Sequence, residues 1–362
     1  MAANKKEIVV LGAGVIGLQT ALTLLENGYG VTIVAKHWPG DDDINYASMK
    51  AGAHWRTHAG PEDILGQKFD TETYQYWKGL LDEGVEGTGL EILPDIPTSE
   101  TTNNGAAIWW STVVGNYRVM DPAELPTGAH FGVIYESFCI NPSKYCDFLL
   151  GRLGDLGIKT ITTEVDSLEE VFELPGIEDD DNVVGMVNCI GLAAKELAHD
   201  ERVFPTRGQT ILVKGEAEMA RLRRGDGWIC YVIRRPGQGT ILGGSYQEDD
   251  WNADLDETLS TRIQERCAAL APELLVDGKF DIISQQVGRR PSRRGGPRIE
   301  VKWTKHNGSE RLICHHYGHS GAGCVINLQN EEIEKDLMIS RYQNSYGSAK
   351  EAVRLINQSL KR

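Results

Sequence analysis

A short apolar run, Glu7–Leu11, ends on glycine and reads as a buried strand. Over residues 15–25, Val15, Ile16, Leu18, Leu22 and Leu25 recur at helical spacing, and Asn27-Gly28 stops that helix. Gly30–Ala35 is a second apolar strand, so the chain opens with a βαβ unit whose strands pair in parallel. Residues 83–91 (EGVEGTGLE) read as loop, and 108–110 and 132–135 as strands of a second sheet. Residues 142–156 predict a helix with Pro142 near its start. A polar turn at 176–182 precedes 183–190, a continuous apolar run of the kind found in sheets covered on both faces.

Three segments, RGQTILVKG from Arg207, GWICYVIRRP from Gly227 and GTILGGSY from Gly239, alternate β-rich stretches with Gly and Pro, as an antiparallel sheet does. Residues 260–271 read as helix, and a hairpin-like stretch from Ile299 leads to RLICHHYGHSGAG and a polar, helical C-terminal region. Without repeats or low-complexity tracts, the pattern predicts an α/β (α+β) fold in two parts. A Rossmann-type nucleotide domain comes in three pieces, 1–60, 140–200 and 285–362. An antiparallel β substrate domain, 61–139 and 201–284, interrupts it.

A length of 362 residues accommodates that division. The net charge of −15 disfavours nucleic acid and anionic membrane as partners, because both repel an acidic surface. The seven cysteines are scattered with no C-x-x-C pair, which suits a reducing compartment and argues against structural zinc. No apolar stretch reaches the ~18 residues of a membrane span, and no signal-peptide core precedes the first strand.

Gly12-Ala13-Gly14-Val15-Ile16-Gly17 matches G-x-G-x-x-G between a strand and a helix. In that motif the first glycine permits the tight turn, the second lets backbone approach a pyrophosphate, and the third lets helix pack on strand. The acid expected about 20 residues on is absent; Lys36 and His37 stand there. A basic pair at this place suits a 2′-phosphate, the phosphate or ribose side of a flavin dinucleotide, or a solvated loop, and the turn alone does not choose.

The stretches CYVIRRPGQGTILGGSYQEDDWN, QQVGRRPSRRGGPRIE and HHYGHSGAG do choose. With ASMKAGAHW, NPSKYCDFL, VNCIGLAAK and RGQTILVK they make the chain resemble, nearly end to end, the D-amino acid oxidase family of flavoproteins. The resemblance implies a glutathione-reductase-like FAD-binding fold, FAD as cofactor, a D-amino acid and molecular oxygen as reactants, and no metal. It implies that Arg290 clamps the substrate carboxylate, that Tyr231 and Tyr246 line the pocket, and that the Gly321 carbonyl accepts from the substrate amine. It places Gly12, Ala13, Gly14, Val15, Ile16, Gly17, Lys36, Ser48, Ala51, Gly52, Ala53, Val165, Gly191, Arg290, Ser320, Gly321, Ala322, Gly323 and Val325 at the cofactor. The chain departs from the family after HSGAG, where Gln329 and Glu331 stand and where Val325 replaces a polar residue of some yeast members.

The implied reaction is oxidative deamination by hydride transfer from Cα to flavin, giving a 2-oxo acid, ammonia and hydrogen peroxide. A neutral D-amino acid is the expected substrate. D-aspartate is the runner-up, with His54, Arg56, Arg223, Arg224 and Arg234 as candidate partners for its second carboxylate. An NAD(P)-sensing protein without enzymatic activity is the alternative of another class. Family resemblance points to the peroxisome, although the chain ends NQSLKR rather than in the S-K-L import signal, which leaves the cytoplasm as the other expectation. A homo-oligomer is compatible with the sequence but not specified by it.

Overall fold

The computed structural model describes residues 5–57, 59–100, 108–178, 181–321 and 344–361. Glu7–Leu11, the helix Val15–Glu26 and Gly30–Ala35 form the expected βαβ unit. Among the described residues they belong to a six-stranded sheet in the order Arg298–His306, Ser309–Tyr317, Val183–Asn188, Glu7–Leu11, Gly30–Ala35, Lys159–Thr162. All its pairings are parallel except that of the hairpin Arg298–His306/Ser309–Tyr317.

The apolar runs of this sheet are continuous because both faces are covered. Ile8, Val10, Ile33, Val187, Leu312 and Cys314 join one core, shared with the helices Val15–Glu26, Pro142–Asp155 and Ser345–Ser359. Val9, Leu11, Val34, Met186 and Ile313, one residue out of step, join a second core with Leu168, Val171 and Phe172. The helix Val15–Glu26 sits close on the sheet because Gly17 has no side chain: a Cβ there would stand 1.9 Å from the Gly12 carbonyl oxygen.

The second sheet runs Gln247–Glu248, Val203–Val213, Gly239–Gly243, Trp228–Arg235, Ala220–Gly225, Leu90–Ser99, Phe131–Ile140, Arg118–Val119, with Ile282–Arg293 also paired to Val203–Val213. It is antiparallel except where Leu90–Ser99 meets Ala220–Gly225 in parallel. Ile282–Arg293 keeps antiparallel register with Val203–Val213 along nearly its whole length, so residues 285–293 belong to this sheet.

Three expectations change. Residues 108–110 are not a strand; Trp109–Thr112 is a 3₁₀ turn, held by Trp110 packing on Tyr117 and Tyr135 and by Trp109 donating to the Ala59 carbonyl at 2.7 Å. The loop at 83–91 ends early, because Leu90 already pairs with Ile140. The helix Ile64–Asp82 was not anticipated; it buries Phe69, Thr73, Trp77 and Leu80 along one stripe, and the Asp63 side chain caps its start by accepting from Gly66 N–H. Among the described residues no helix is long and apolar enough to cross a membrane.

His316 ties the outer helices to the sheet. Its Nδ1 lies 3.0 Å from Thr20 Oγ1 and its Nε2 3.0 Å from Ser348 Oγ. Burial, then neighbouring His319, holds its pKa well below the ordinary 6.5. Below that ordinary value the unfolded chain takes up a proton that the folded chain refuses, so this group makes stability fall as pH drops through about 6.5. His316→Gln should therefore flatten the loss of unfolding free energy below about pH 6.5 by up to about 1.4 kcal/mol per pH unit. Denaturant unfolding of both proteins at several pH values checks this; parallel pH dependences contradict it.

Candidate active site

A cleft of about 390 Å³ opens at the carboxyl ends of the parallel strands, where ligands bind in sheets of this kind. Its wall follows the strand ends in turn: Gly12–Ile16 after the first strand, Lys36 after the second, Glu164 and Val165 after Lys159–Thr162, Gly191 after Val183–Asn188, and Gly318 after Ser309–Tyr317. At the glycine turn a side chain is excluded: Gly12 has φ +107° and a Cβ there would lie 2.8 Å from the Cys189 carbonyl oxygen. Gly14 caps the helix in extended conformation, without a side-chain cap and with no acidic residue in the first turn. The helix thus presents its partial positive charge to the cleft. Ser48 Oγ accepts from Val15 N–H at 3.1 Å, and Tyr46 donates to the Ala13 carbonyl at 2.7 Å, fixing the loop that roofs the turn. A side-chain-free cradle at a helix N-terminus beside apolar Val165 and Leu192 fits a dinucleotide with a pyrophosphate.

Gly12, Ala13, Gly14, Val15, Ile16, Lys36, Ser48, Val165 and Gly191 all line this cleft. Lys36 does not stand alone, since its Nζ lies 2.7 Å from Glu164 Oε1 at the rim. The carboxylate missing after the second strand thus arrives from the neighbouring strand end. Gly17 packs beneath the turn rather than in the wall. Ala53 is fully buried in the core, where it exchanges hydrogen bonds with Ile140, and lines neither the cleft nor the pocket beside it. Ser320 is buried, bonded to Ser292 Oγ at 2.7 Å and donating its N–H to Pro291 at 2.9 Å. Ala322, Gly323 and Val325, like Gln329 and Glu331, lie outside the described residues.

Beside the cleft, on one face of the second sheet, lies a smaller pocket lined by Ala51, Gly52, Tyr231, Arg290 and Gly321 among others. Its floor is glycine. Gly208 pairs with Gly288 and Gly243 with Tyr231 across neighbouring strands. A Cβ at Gly208 would come within 2.5 Å of the Arg290 guanidinium, and one at Gly243 within 2.1 Å of the Tyr231 ring. Both side chains therefore lie flat on the sheet where ordinary residues would lift them. Among the described residues Arg290 makes no ion pair; its Nη1 donates long bonds to the carbonyls of Arg207 (3.4 Å) and Ser245 (3.3 Å), and the guanidinium hydrogen-bonds the Tyr231 hydroxyl. Burial raises the pKa of Tyr231 and the adjacent Arg290 guanidinium opposes the rise. Tyr246 stands further off: its hydroxyl is 3.3 Å from Glu248 Oε1, and it is absent from the pocket wall. Burial raises its pKa, with Thr206 and Arg290 acting the other way.

Arg235 escaped the sequence reading. Buried two strand positions beyond Ile233, it donates to the carbonyls of Ala51 (2.6 Å) and Gly52 (3.2 Å), and so holds the loop facing Tyr231. Counting by twos from Tyr231 finds it and puts Arg234 on the opposite face. Four of the five residues named for a second substrate carboxylate are engaged elsewhere. Arg56 donates to both Asp95 oxygens (2.5 and 2.7 Å), Arg234 pairs with Glu91 and Glu216, and Arg223 pairs with Glu100. His54 is buried 3.7 Å from Asp95, its pKa held well below 6.5 by burial and by Arg56. None of these, nor Arg224, lines the pocket.

Residues 7–326 match the family model described as FAD dependent oxidoreductase. The chain is 32% identical to a D-amino-acid oxidase of Fusarium vanettenii, over 97% of this chain and 96% of the relative. It is 29% identical to a D-aspartate oxidase of Talaromyces thermophilus, over 94% and 96%. Its fold is similar to that of glycine oxidase from Bacillus cereus, with a TM-score of 0.69 at 16% identity over 98% and 96% of the two chains. The protein belongs to the FAD-dependent oxidoreductase family, and its cofactor is FAD. That sets aside the NAD(P)-sensing alternative.

The glycine floor carries a prediction. Gly208→Val displaces the guanidinium, so affinity for a small monocarboxylate should fall at least about tenfold while the purified protein keeps its flavin. Titration followed by the visible flavin spectrum checks this; unchanged affinity contradicts it.

Proposed function

We propose that this protein is a D-amino-acid oxidase, converting D-amino acids and dioxygen to 2-oxo acids, ammonia and hydrogen peroxide. One observation carries the reading. Arg290 presents a half-buried guanidinium, without a carboxylate partner among the described residues, in a pocket that adjoins the nucleotide cleft. A planar fork of donors matches a carboxylate in bidentate fashion and stays charged at any working pH.

In this reading the substrate carboxylate lies on Arg290, and the Tyr231 hydroxyl, kept protonated by burial, donates to it. The amine is held by the Gly321 carbonyl. Two anchored groups and the pocket wall leave one enantiomer with its Cα–H aimed at the cofactor. FAD, when bound, supplies the two-electron acceptor for the departing hydride and delivers the electrons to dioxygen. The described residues lining the pocket include neither a carboxylate nor a histidine, so no side-chain base is poised to take the Cα hydrogen as a proton. The imino acid then hydrolyses to the 2-oxo acid. The six-stranded sheet with its helices serves as the nucleotide domain. The second sheet, with the strand Ile282–Arg293, serves as the substrate domain, which moves the last boundary to residue 293. Residence in a peroxisome suits a reaction that releases peroxide.

Mixed anaerobically with D-alanine the holoprotein should lose its visible flavin band, and with L-alanine keep it. Arg290→Ala should lower kcat/KM by about 2–5 kcal/mol in transition-state free energy. Bleaching by the L-form alone, or an Arg290→Ala variant as efficient as the parent, overturns the assignment.

A further inference from the structure

Lys50 lines the same small pocket as Arg290. The two are brought side by side by the glycine floor. Gly208 and Gly288 are register partners in antiparallel strands and so point to one face. Over Gly208 lies the Arg290 guanidinium; over Gly288 lies the stem of Lys50, whose Cβ would be 2.6 Å from an added Cβ. The Lys50 side chain is only 11% exposed, yet its Nζ reaches Asp42, which is 90% exposed at the rim. An ion pair with so exposed a carboxylate is screened and contributes little. The ammonium sits on a flexible four-carbon stem, so it can leave Asp42 for another anion inside the pocket without breaking a buried contact.

Arg289, also in the pocket wall, is held by Asn45 Oδ1 at 3.0 Å and by the Trp251 carbonyl. The other basic residues considered for this role do not line the pocket, as described above. A chain with net charge −15 thus gathers cations around one small cavity, which focuses a positive field on whatever enters it.

Resting on the oxidase reading, we propose that Lys50 is a specificity-determining residue: with the α-carboxylate on Arg290, its ammonium takes a side-chain carboxylate, so that the enzyme accepts acidic D-amino acids. The arrangement needs two cationic side chains on one face of the sheet, and Arg290, with its guanidinium over Gly208, and Lys50, with its stem over Gly288, supply them.

The test is oxygen consumption by the holoenzyme with D-alanine, D-aspartate and D-glutamate, comparing the parent with Lys50→Met, Lys50→Arg and Asp42→Asn. The parent should oxidise at least one of the acidic substrates. Lys50→Met should lower kcat/KM for that substrate relative to D-alanine by about tenfold or more, chiefly through KM. Lys50→Arg should keep most of the ratio, and Asp42→Asn, which frees the ammonium from its rim partner, should hold or raise it. Turnover of D-alanine with neither acidic substrate oxidised overturns the role of Lys50 and leaves the oxidase reading standing. So does a ratio that moves less than about twofold in Lys50→Met, or one that falls in Asp42→Asn. Flavin reduced by no D-amino acid at all overturns both.

Discussion

A guanidinium half withdrawn from water, with long bonds to two carbonyl oxygens and the Tyr231 hydroxyl beside it but no carboxylate partner among the described residues, is the constraint on which this site rests. A charge so placed is costly unless an anion completes it. The sheet is built to keep it there. Gly208 clears the space the guanidinium occupies, Gly243 lets Tyr231 lie flat beside it, and the register of four strands brings these positions to one face. A one-residue slip in any of those pairings would turn the set away from the pocket.

The same strand joins the two halves of the site. Arg290 points to the pocket, and Pro291, one residue on, lines the nucleotide cleft within 3.6 Å of where a side chain on Gly191 would begin. That is period-two alternation put to use. Hydroxyls extend the connection: Thr206 bonds Ser292, and Ser292 bonds Ser320 next to Gly321. From the other side Arg235 pins the carbonyls of Ala51 and Gly52 to the strand that carries Tyr231. The loop, the floor and the turn at Gly321 thus form one braced frame around the small pocket and its junction with the nucleotide cleft.

The glycine turn, its flanking strands and the helix after it were legible in the sequence, because a local pattern specifies a local unit. The block around Arg290 likewise singled out a residue that the structure places in the pocket wall. The helix Ile64–Asp82 was not, since its apolar stripe includes Thr73 and is interrupted by charge. The 3₁₀ turn at Trp109–Thr112 looked like a strand because aromatic residues that pack a loop have the composition of a strand. The resemblance groups Ala53 with Ala51 and Gly52, but which of the three face the pocket is decided by backbone pairing with Ile140, which draws Ala53 into the core and which no local pattern states. The relation of Lys50 to Arg290 runs through two glycines far apart in sequence on paired strands, a coincidence of register that no local reading contains.

The central claim is that the pocket holds an uncompensated positive charge made for a carboxylate. Titrating the holoenzyme with propionate and with its neutral isostere propionamide, and following the visible flavin spectrum, tests this most directly. The account predicts that the carboxylate binds at least about tenfold more tightly than the amide, the margin expected when a charged partner completes a half-buried guanidinium. Equal affinity for the two would contradict it.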